Sequence, residues 1–414
     1  MIKFIHTADI HFGMENYGRI DPETGIHTRL LDFERALNYC IDIGIEEKID
    51  FFLFAGDAYK TANPSPTQQK LLMRCFLRLY RAGIPIVIVV GNHDNPLSFG
   101  KANSLEIFNE VPLDGFHVFS QPDLITLETK NGPIQIVGIP WPTRNTISLN
   151  KKHLLHSAED ITRYISEAVG TLITNFAQKC DPTIPSILTS HMTVSSGVFS
   201  GSEKRAVYGT DPTLMPSQLA LKPFDYVALG HLHRYQNLNK NGYPAIVYSG
   251  SIERIDFGER KEPKGFCLVS VTLKKTSHIF IEVPARPFIQ VDVKLDTQRE
   301  DQTEQVINAL KKHTLDNAVV KIVYHIPDNQ TDMVNIGTIE RACSHAHYLV
   351  GIIPIHNITT REKRRGLKVE MDLATLLDSY FEEKPAYKSK KKLLTQKALE
   401  LYNQSQNIVE EEEG

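Results

Sequence analysis

Along the first 275 or so residues, short apolar and β-branched runs alternate with stretches of helical spacing, a pattern that predicts an α/β domain. Four runs carry most of the signal: "FFLFAGD" (51–57), "IVIVVGNHD" (86–94), "SILTSH" (186–191) and "YVALGHLH" (226–233). Each is apolar almost without interruption and then ends in a polar cluster. Strands that read this way have both faces covered. Between them, "TQQKLLMRCFLRLY" (67–80) places Leu72, Phe76, Leu79 and Tyr80 at helical spacing, which predicts a helix covering the sheet or a partner helix. From about 285 to 355 the order "FIQVDVKL", "EDQTEQVINALKKH", "AVVKIVY", "NIGTIERACSHAH", "YLVGIIPI" reads strand, helix, strand, helix, strand, a small separate α/β module. Beyond "REKRRGLK" (361–368), Leu373, Leu376, Leu377, Tyr380 and Phe381 fall at i, i+3, i+4, i+7 and i+8. After "KSKKK", Leu394, Ala398, Leu401 and Tyr402 repeat the stripe. Two short amphipathic helices are expected there, with a frayed "EEEEG" end.

The polar clusters at the strand ends are the candidate chemistry. In chain order they hold Asp9 and His11 ("TADIH"), Asp57 ("AGD"), Asn92, His93 and Asp94 ("GNHD"), His191 ("TSH"), and His231 and His233 ("GHLH"). A single strand-end Asp or His is usually a cap or a hydrogen-bonded loop residue. Five clusters at the carboxyl ends of apolar strands in one domain point instead to a site, because ligands of open α/β sheets gather at that edge. Carboxylate, imidazole and amide oxygen without cysteine suit Mn, Fe or Zn, and the share of hard oxygen favours Mn or Mg over thiolate-seeking ions. Seven donors (Asp9, His11, Asp57, Asn92, His191, His231, His233) are too many for one ion and divide between two, with Asp57 as the shared carboxylate. A metal pair of that kind serves phosphate-ester hydrolysis. On extended backbone the i, i+2 pairs of "DIH" and "HLH" would point to one side, and Gly56, Gly91 and Gly230 would leave room where a β-carbon would crowd the ions. His93 is the histidine left over. Next to the cations it is placed to protonate a leaving alkoxide, with Asp94 expected to orient it and hold its tautomer.

Composition narrows the partners. Lys plus Arg number 46 against 49 Asp plus Glu, so no overall basic field advertises nucleic acid and any such contact must be local. Candidate contacts are Arg361, Lys363, Arg364 and Arg365, and the Gly/Ser-rich loop 195–209 with Lys204 and Arg205. Five scattered cysteines with no C-x-x-C pair fit neither a disulfide framework nor a zinc knuckle, and a reducing compartment is expected. No leader-like stretch precedes "MIKFIHTADIH" and the longest apolar run, Ile84 to Val90, is too short to span a bilayer. The expectation is a soluble, cytoplasmic protein.

The succession D-x-H, G-D, G-N-H-D, lone H and G-H-x-H resembles the calcineurin-like metallophosphoesterase superfamily. "TADIHFG", "AGDAYKTANPSP" and "YSGSIERIDFGE" (248–259) look more narrowly like its SbcD nuclease family. The likeness covers about the first 260 residues well and the rest in layout. It implies a two-sheet metallophosphoesterase core flanked by helices (1–278), a small α/β cap guiding DNA (285–368) and a helical tail (369–414) that binds a coiled-coil ATPase of the SbcC type. It further implies that the seven donors hold two Mn2+, Mg2+ being the substitute, and that His93 is catalytic. The activity expected is exonuclease on double-stranded ends and endonuclease on single strands or hairpins, in a homodimer. A phosphatase or phosphodiesterase acting on a small molecule, or an inactive scaffold for the ATPase, are the competing readings. The sequence departs from the family at Lys60, where some members carry a histidine three residues after the second-motif aspartate. Lysine can neutralise a phosphate but cannot relay a proton as imidazole does.

Overall fold

The computed structural model describes residues 1–96, 101–110, 114–143, 157–201, 211–296, 301–327, 330–356, 373–382 and 390–412. The basic stretch 361–368, Lys204 and Arg205 lie outside the described residues, as do Pro385 and the first two residues of "KSKKK".

Two six-stranded mixed sheets form the core. In the first, β1 (Ile2–Thr7), β2 (Phe51–Phe54), β3 (Ile86–Val89) and β4 (Phe116–Phe119) run parallel, and the antiparallel hairpin of β13 (Gly265–Thr272) and β14 (Lys275–Glu282) adds to the β1 edge. In the second, β6 (Gly132–Ile139), β7 (Ser186–His191), β10 (Phe224–Gly230) and β12 (Ala245–Tyr248) run parallel, with β5 (Asp123–Thr129) and β11 (Gln236–Asn237) antiparallel at the edges. A short parallel pair, β8 (Thr193–Val194) and β9 (Thr213–Leu214), stands apart from both sheets.

Strand alternation explains why these runs are apolar throughout. Phe4, Phe51, Leu53, Val87 and Val89 of the first sheet pack against Ile134, Ile136, Ile187, Tyr226, Ala228 and Val247 of the second, so the inner faces make one core. Their neighbours Ile5, Phe52, Phe54, Ile86 and Ile88 face outward onto α1 (Thr28–Glu46) and α2 (Pro66–Arg81). On the far side Val137, Ile139, Leu188, Val227 and Leu229 meet Ile161, Ile165, Val169 and Ile173 of α3 (Ala158–Lys179). The layers are therefore helix, sheet, sheet, helix, and each central strand is buried on both sides. The helix expected over 67–80 is α2. Ser65 starts it as an N-cap with a reciprocal capping box to Gln68 and Pro66 in the first turn.

Residues 288–356 build a separate three-stranded sheet in the order β15 (Phe288–Lys294), β16 (Val319–Ile326), β17 (Tyr348–His356), with α4 (Gln302–Leu310) and α5 (Ile336–Ala342) between the strands. Its first strand packs through Phe288 on Phe257, Tyr17 and Val319. By contact, the chain divides into two compact units. One comprises Met1–His325 and Asp332–Ile355, and the other Ile326–Thr331 and His356–Gly414. The second contains α6 (Leu373–Glu382) and α7 (Lys391–Glu412), where Tyr380, Leu393, Leu401 and Tyr402 are exposed. Among the described residues no helix is long and apolar enough to cross a membrane.

Candidate metal centre

All five polar clusters arrive at one place because the parallel strands of both sheets end on the same side. β1 leads to Asp9 and His11, β2 to Asp57, β3 to Asn92 and His93, β7 ends in His191, and β10 leads to His231 and His233. Only His191 is itself a strand residue, so the clusters are the turns that follow the strands. Asp9 (φ 53°), His11 (φ 54°), Asp57 (φ 60°) and His231 (φ 104°) all have left-handed backbones. This corrects the extended-strand reading of "DIH" and "HLH". The pairs converge through strained turns, each costing on the order of 1–3 kcal/mol and held by its surroundings. Those surroundings include the ladder Asp9 N to Gly56 O (2.9 Å), His11 N to Asp57 O (3.0 Å) and Phe12 N to Ala58 O (2.9 Å). The second sheet joins it when His231 N donates to the Asp9 carboxylate at 3.1 Å.

The glycines protect neighbouring ligands rather than open space for ions. A β-carbon on Gly56 would come within 2.4 Å of His191 Nδ1, one on Gly91 within 2.1 Å of Asp57 Oδ1, and one on Gly230 within 2.0 Å of Ala55 O.

Within the cluster, Asp9, His11 and His233 offer ligand atoms within 4.8 Å of one another, as do Asp9, Asp57 and His191, and His11, Asp57 and His93. His11 Nε2 and His233 Nε2 are 3.1 Å apart. Asp57 Oδ2 lies 3.6 Å from His11 Nε2 and 3.3 Å from His191 Nε2. On the far side of Asp57, Asn92 Oδ1 is 3.0 Å from His191 Nε2 and 3.2 Å from His231 Nδ1. Asp57 thus stands among Asp9, His11, His233, Asn92, His191 and His231. All are buried except the half-buried Asn92, while His93 is exposed at the rim.

The donor chemistry fits a pair of cations. Burial holds the His11 imidazole well below its ordinary pKa despite the Asp57 charge, which keeps a neutral lone pair available. Burial would also lower His191, but Asp57 overcomes it and pulls the imidazole up to about 9, a proton sitting where positive charge is favoured. No sulfur takes part, and the mix of carboxylate, imidazole and amide oxygen suits Mn, Mg, Fe or Zn.

A second layer fixes the rings. His191 donates Nδ1–H to Ala55 O at 2.8 Å, leaving Nε2 for the centre. His93 Nδ1 is 2.8 Å from Lys60 O. His233 Nδ1 is 2.9 Å from the buried Glu259 carboxylate, which burial pushes up but the Lys264 ammonium and His233 bring down to about 2. His231 Nε2 faces Asp211 Oδ2 at 3.5 Å, and the Trp141 ring packs on it at 5.0 Å.

Here the expectation for Asp94 is corrected. Its carboxylate does not meet His93. It accepts N–H groups from Asp57 (2.9 Å), Ala58 (3.0 Å), Tyr59 (3.2 Å) and Gly91 (3.0 Å), and so shapes the turn that presents Asp57. A buried carboxylate satisfied by four backbone donors has no reason to reach a rim imidazole. Glu259, Lys264, Asp211 and Trp141 escaped the sequence reading. Glu259 closes the "YSGSIERIDFGE" stretch, the one signal that pointed near it.

A family model described as calcineurin-like phosphoesterase matches residues 2–235. Over 330 residues the chain is 27% identical to the SbcD subunit of nuclease SbcCD from Staphylococcus saprophyticus, covering 79% of this chain and 80% of that one. Among solved structures it is similar to a dimetal phosphatase from Danio rerio, with a TM-score of 0.41 and 11% identity over 67% of this chain and 95% of the other.

Proposed function

Because the chain belongs to the calcineurin-like phosphoesterase family, we propose that it is a Mn-dependent DNA nuclease subunit that works with a coiled-coil ATPase of the SbcC type. The observation that carries the phosphoesterase chemistry is the convergence of six other donors around Asp57, with one exposed imidazole beside them. The likeness to a nuclease subunit, which spans four fifths of both chains, supports DNA as the substrate.

In this reading Asp9, His11, Asp57 and His233 hold one ion, and Asp57, Asn92, His191 and His231 hold the other. Bound ions supply Lewis acidity toward a phosphodiester and a water of lowered pKa. The protein's own part is to hold these donors oriented, which the Ala55, Glu259 and Asp211 contacts serve. His93 is the proton carrier. With Nδ1 committed to the Lys60 carbonyl, its exchange with a leaving oxygen is confined to Nε2. Asp94 acts on Asp57 and not on the reacting atoms. Residues 285–368 form a cap that guides DNA, residues 369–414 dock the ATPase, and the active assembly is a homodimer in the cytoplasm.

The test is to incubate the purified chain, alone and with its ATPase, with end-labelled linear duplex and with a chromogenic phosphodiester in Mn2+, in Mg2+ and in chelator. Mn-dependent release of nucleotides from the duplex is the expected result. Hydrolysis of the chromogenic ester without any cleavage of duplex, hairpin or single strand would assign the centre to a small-molecule phosphodiesterase instead.

A further inference from the structure

Lys264 is fully buried, and its ammonium has a partner for each of its three protons: Glu259 Oε2 at 2.8 Å, His233 O at 3.0 Å and Ser251 Oγ at 3.0 Å. Glu259, also fully buried, divides its oxygens. Oε1 takes His233 Nδ1 at 2.9 Å, and Oε2 takes Ile255 N at 3.0 Å together with Lys264. His233 is therefore gripped twice by one ion pair, at its ring and at its own backbone carbonyl. Ser251 N adds a second hold on that carbonyl at 3.1 Å. Gly250, at φ +75°, lets the chain wrap this closely, since a β-carbon there would stand 2.8 Å from His233 O.

Stability alone is a poor reason for such an arrangement, because a buried ion pair commonly does no better for folding than apolar residues of the same volume. A carboxylate on the far nitrogen of a metal-ligating imidazole fixes its tautomer and raises its basicity. Resting on the two-ion reading above, we propose that Glu259 and Lys264 are positioning residues for His233. They set the affinity of the ion held with Asp9 and His11 and leave the ion held with Asn92, His191 and His231 unaffected. The stretch 248–264 is, on this view, a brace built around one ligand.

The experiment is Mn2+ titration of the full chain, wild type, Glu259→Gln, and the double variant Glu259→Gln/Lys264→Met, by calorimetry and electron paramagnetic resonance. Glutamine cannot accept from His233 on one side and from both Ile255 and Lys264 on the other. The double variant removes both charges of the pair together, and Glu262, whose Oε2 lies 3.6 Å from Lys264 Nζ, loses that cation with them. Each variant should keep one ion at wild-type affinity and bind the other about 10–100-fold more weakly. At subsaturating metal the spin-coupled pair signal should give way to that of an isolated Mn2+. Folded variants that bind both ions as the wild type does, or that lose both in parallel, would overturn the proposal. So would failure of both variants to fold, since the pair would then serve folding itself. A wild-type chain that binds fewer than two ions would overturn the two-ion reading first.

Discussion

At the centre Gly91 lies directly against Asp57, and Gly91→Ala tests how much of the site depends on that approach. An added β-carbon would lie 2.1 Å from Asp57 Oδ1, 2.4 Å from Asp57 N and 2.9 Å from its Cγ, whereas ordinary contact begins near 3.4 Å. The carboxylate must therefore retreat by more than about 1 Å, a distance at which catalytic groups lose on the order of 10²-fold in rate. It has little room to do so, since Asp57 N is tied to Asp94 and Oδ1 accepts from His93 N at 2.9 Å. Overpacking of this kind costs about 1–3 kcal/mol, and the stiffer unfolded chain returns about 0.4–1 kcal/mol. The variant should thus fold with a modest loss of stability but bind both ions poorly, because in the proposed two-ion centre Asp57 would serve both. Thermal melts, metal content after desalting and turnover of a chromogenic phosphodiester measure the three quantities separately. Gly25→Ala is the control, having a left-handed backbone (φ +67°) with nothing within 4 Å of the added carbon. It should cost about 1–2 kcal/mol and leave metal content and rate alone. A Gly91→Ala protein with two ions per chain and turnover within a few-fold of the wild type would refute the argument that Asp57 is confined.

Three further outcomes are expected. His93→Ala should retain metal content and fold while turnover falls by about 10²–10⁴-fold, and near-normal nuclease rates would reduce His93 to a rim residue. Asp32, buried between Arg29 and Arg286, has a carboxyl that burial would raise but the two guanidiniums hold below its ordinary range. Its stabilisation is complete above the unfolded pKa of about 3.9 and is lost as pH falls through the lower native value. Urea unfolding should therefore show Asp32→Asn weaker by about 3–5 kcal/mol near neutrality and the gap closing below pH 3.9, and a gap independent of pH would remove the ion pair from the account. Deletion of residues 370–414 should spare Mn-dependent cleavage of single-stranded DNA by the isolated chain and abolish co-purification with the ATPase. An unfolded truncation, or one that still captures the ATPase, would make the tail a structural element.

Much of the architecture was legible along the chain because its signals are short-ranged. Unbroken apolar runs such as "FFLF" and "IVIV" announced strands covered on both faces, and α2 announced itself by its spacing and by Ser65 and Pro66. Residue chemistry at the run ends also stood out, since aspartate, histidine and asparagine in succession have no place in a core. Local pattern did not determine which apolar face meets which. Phe52 and Leu53 are equally hydrophobic, yet one packs under α1 and α2 and the other against the second sheet. That stacking puts His231 N on the carboxylate of Asp9, 222 residues away. The same packing decided that the ligand turns are left-handed rather than extended, that Asp94 serves the Asp57 turn rather than His93, and that Glu259 and Lys264 lie buried behind His233. Sequence periodicity records which residues leave water. The partner each one meets after leaving it depends on the free energy of the whole packed arrangement, and no window of a few residues contains that sum.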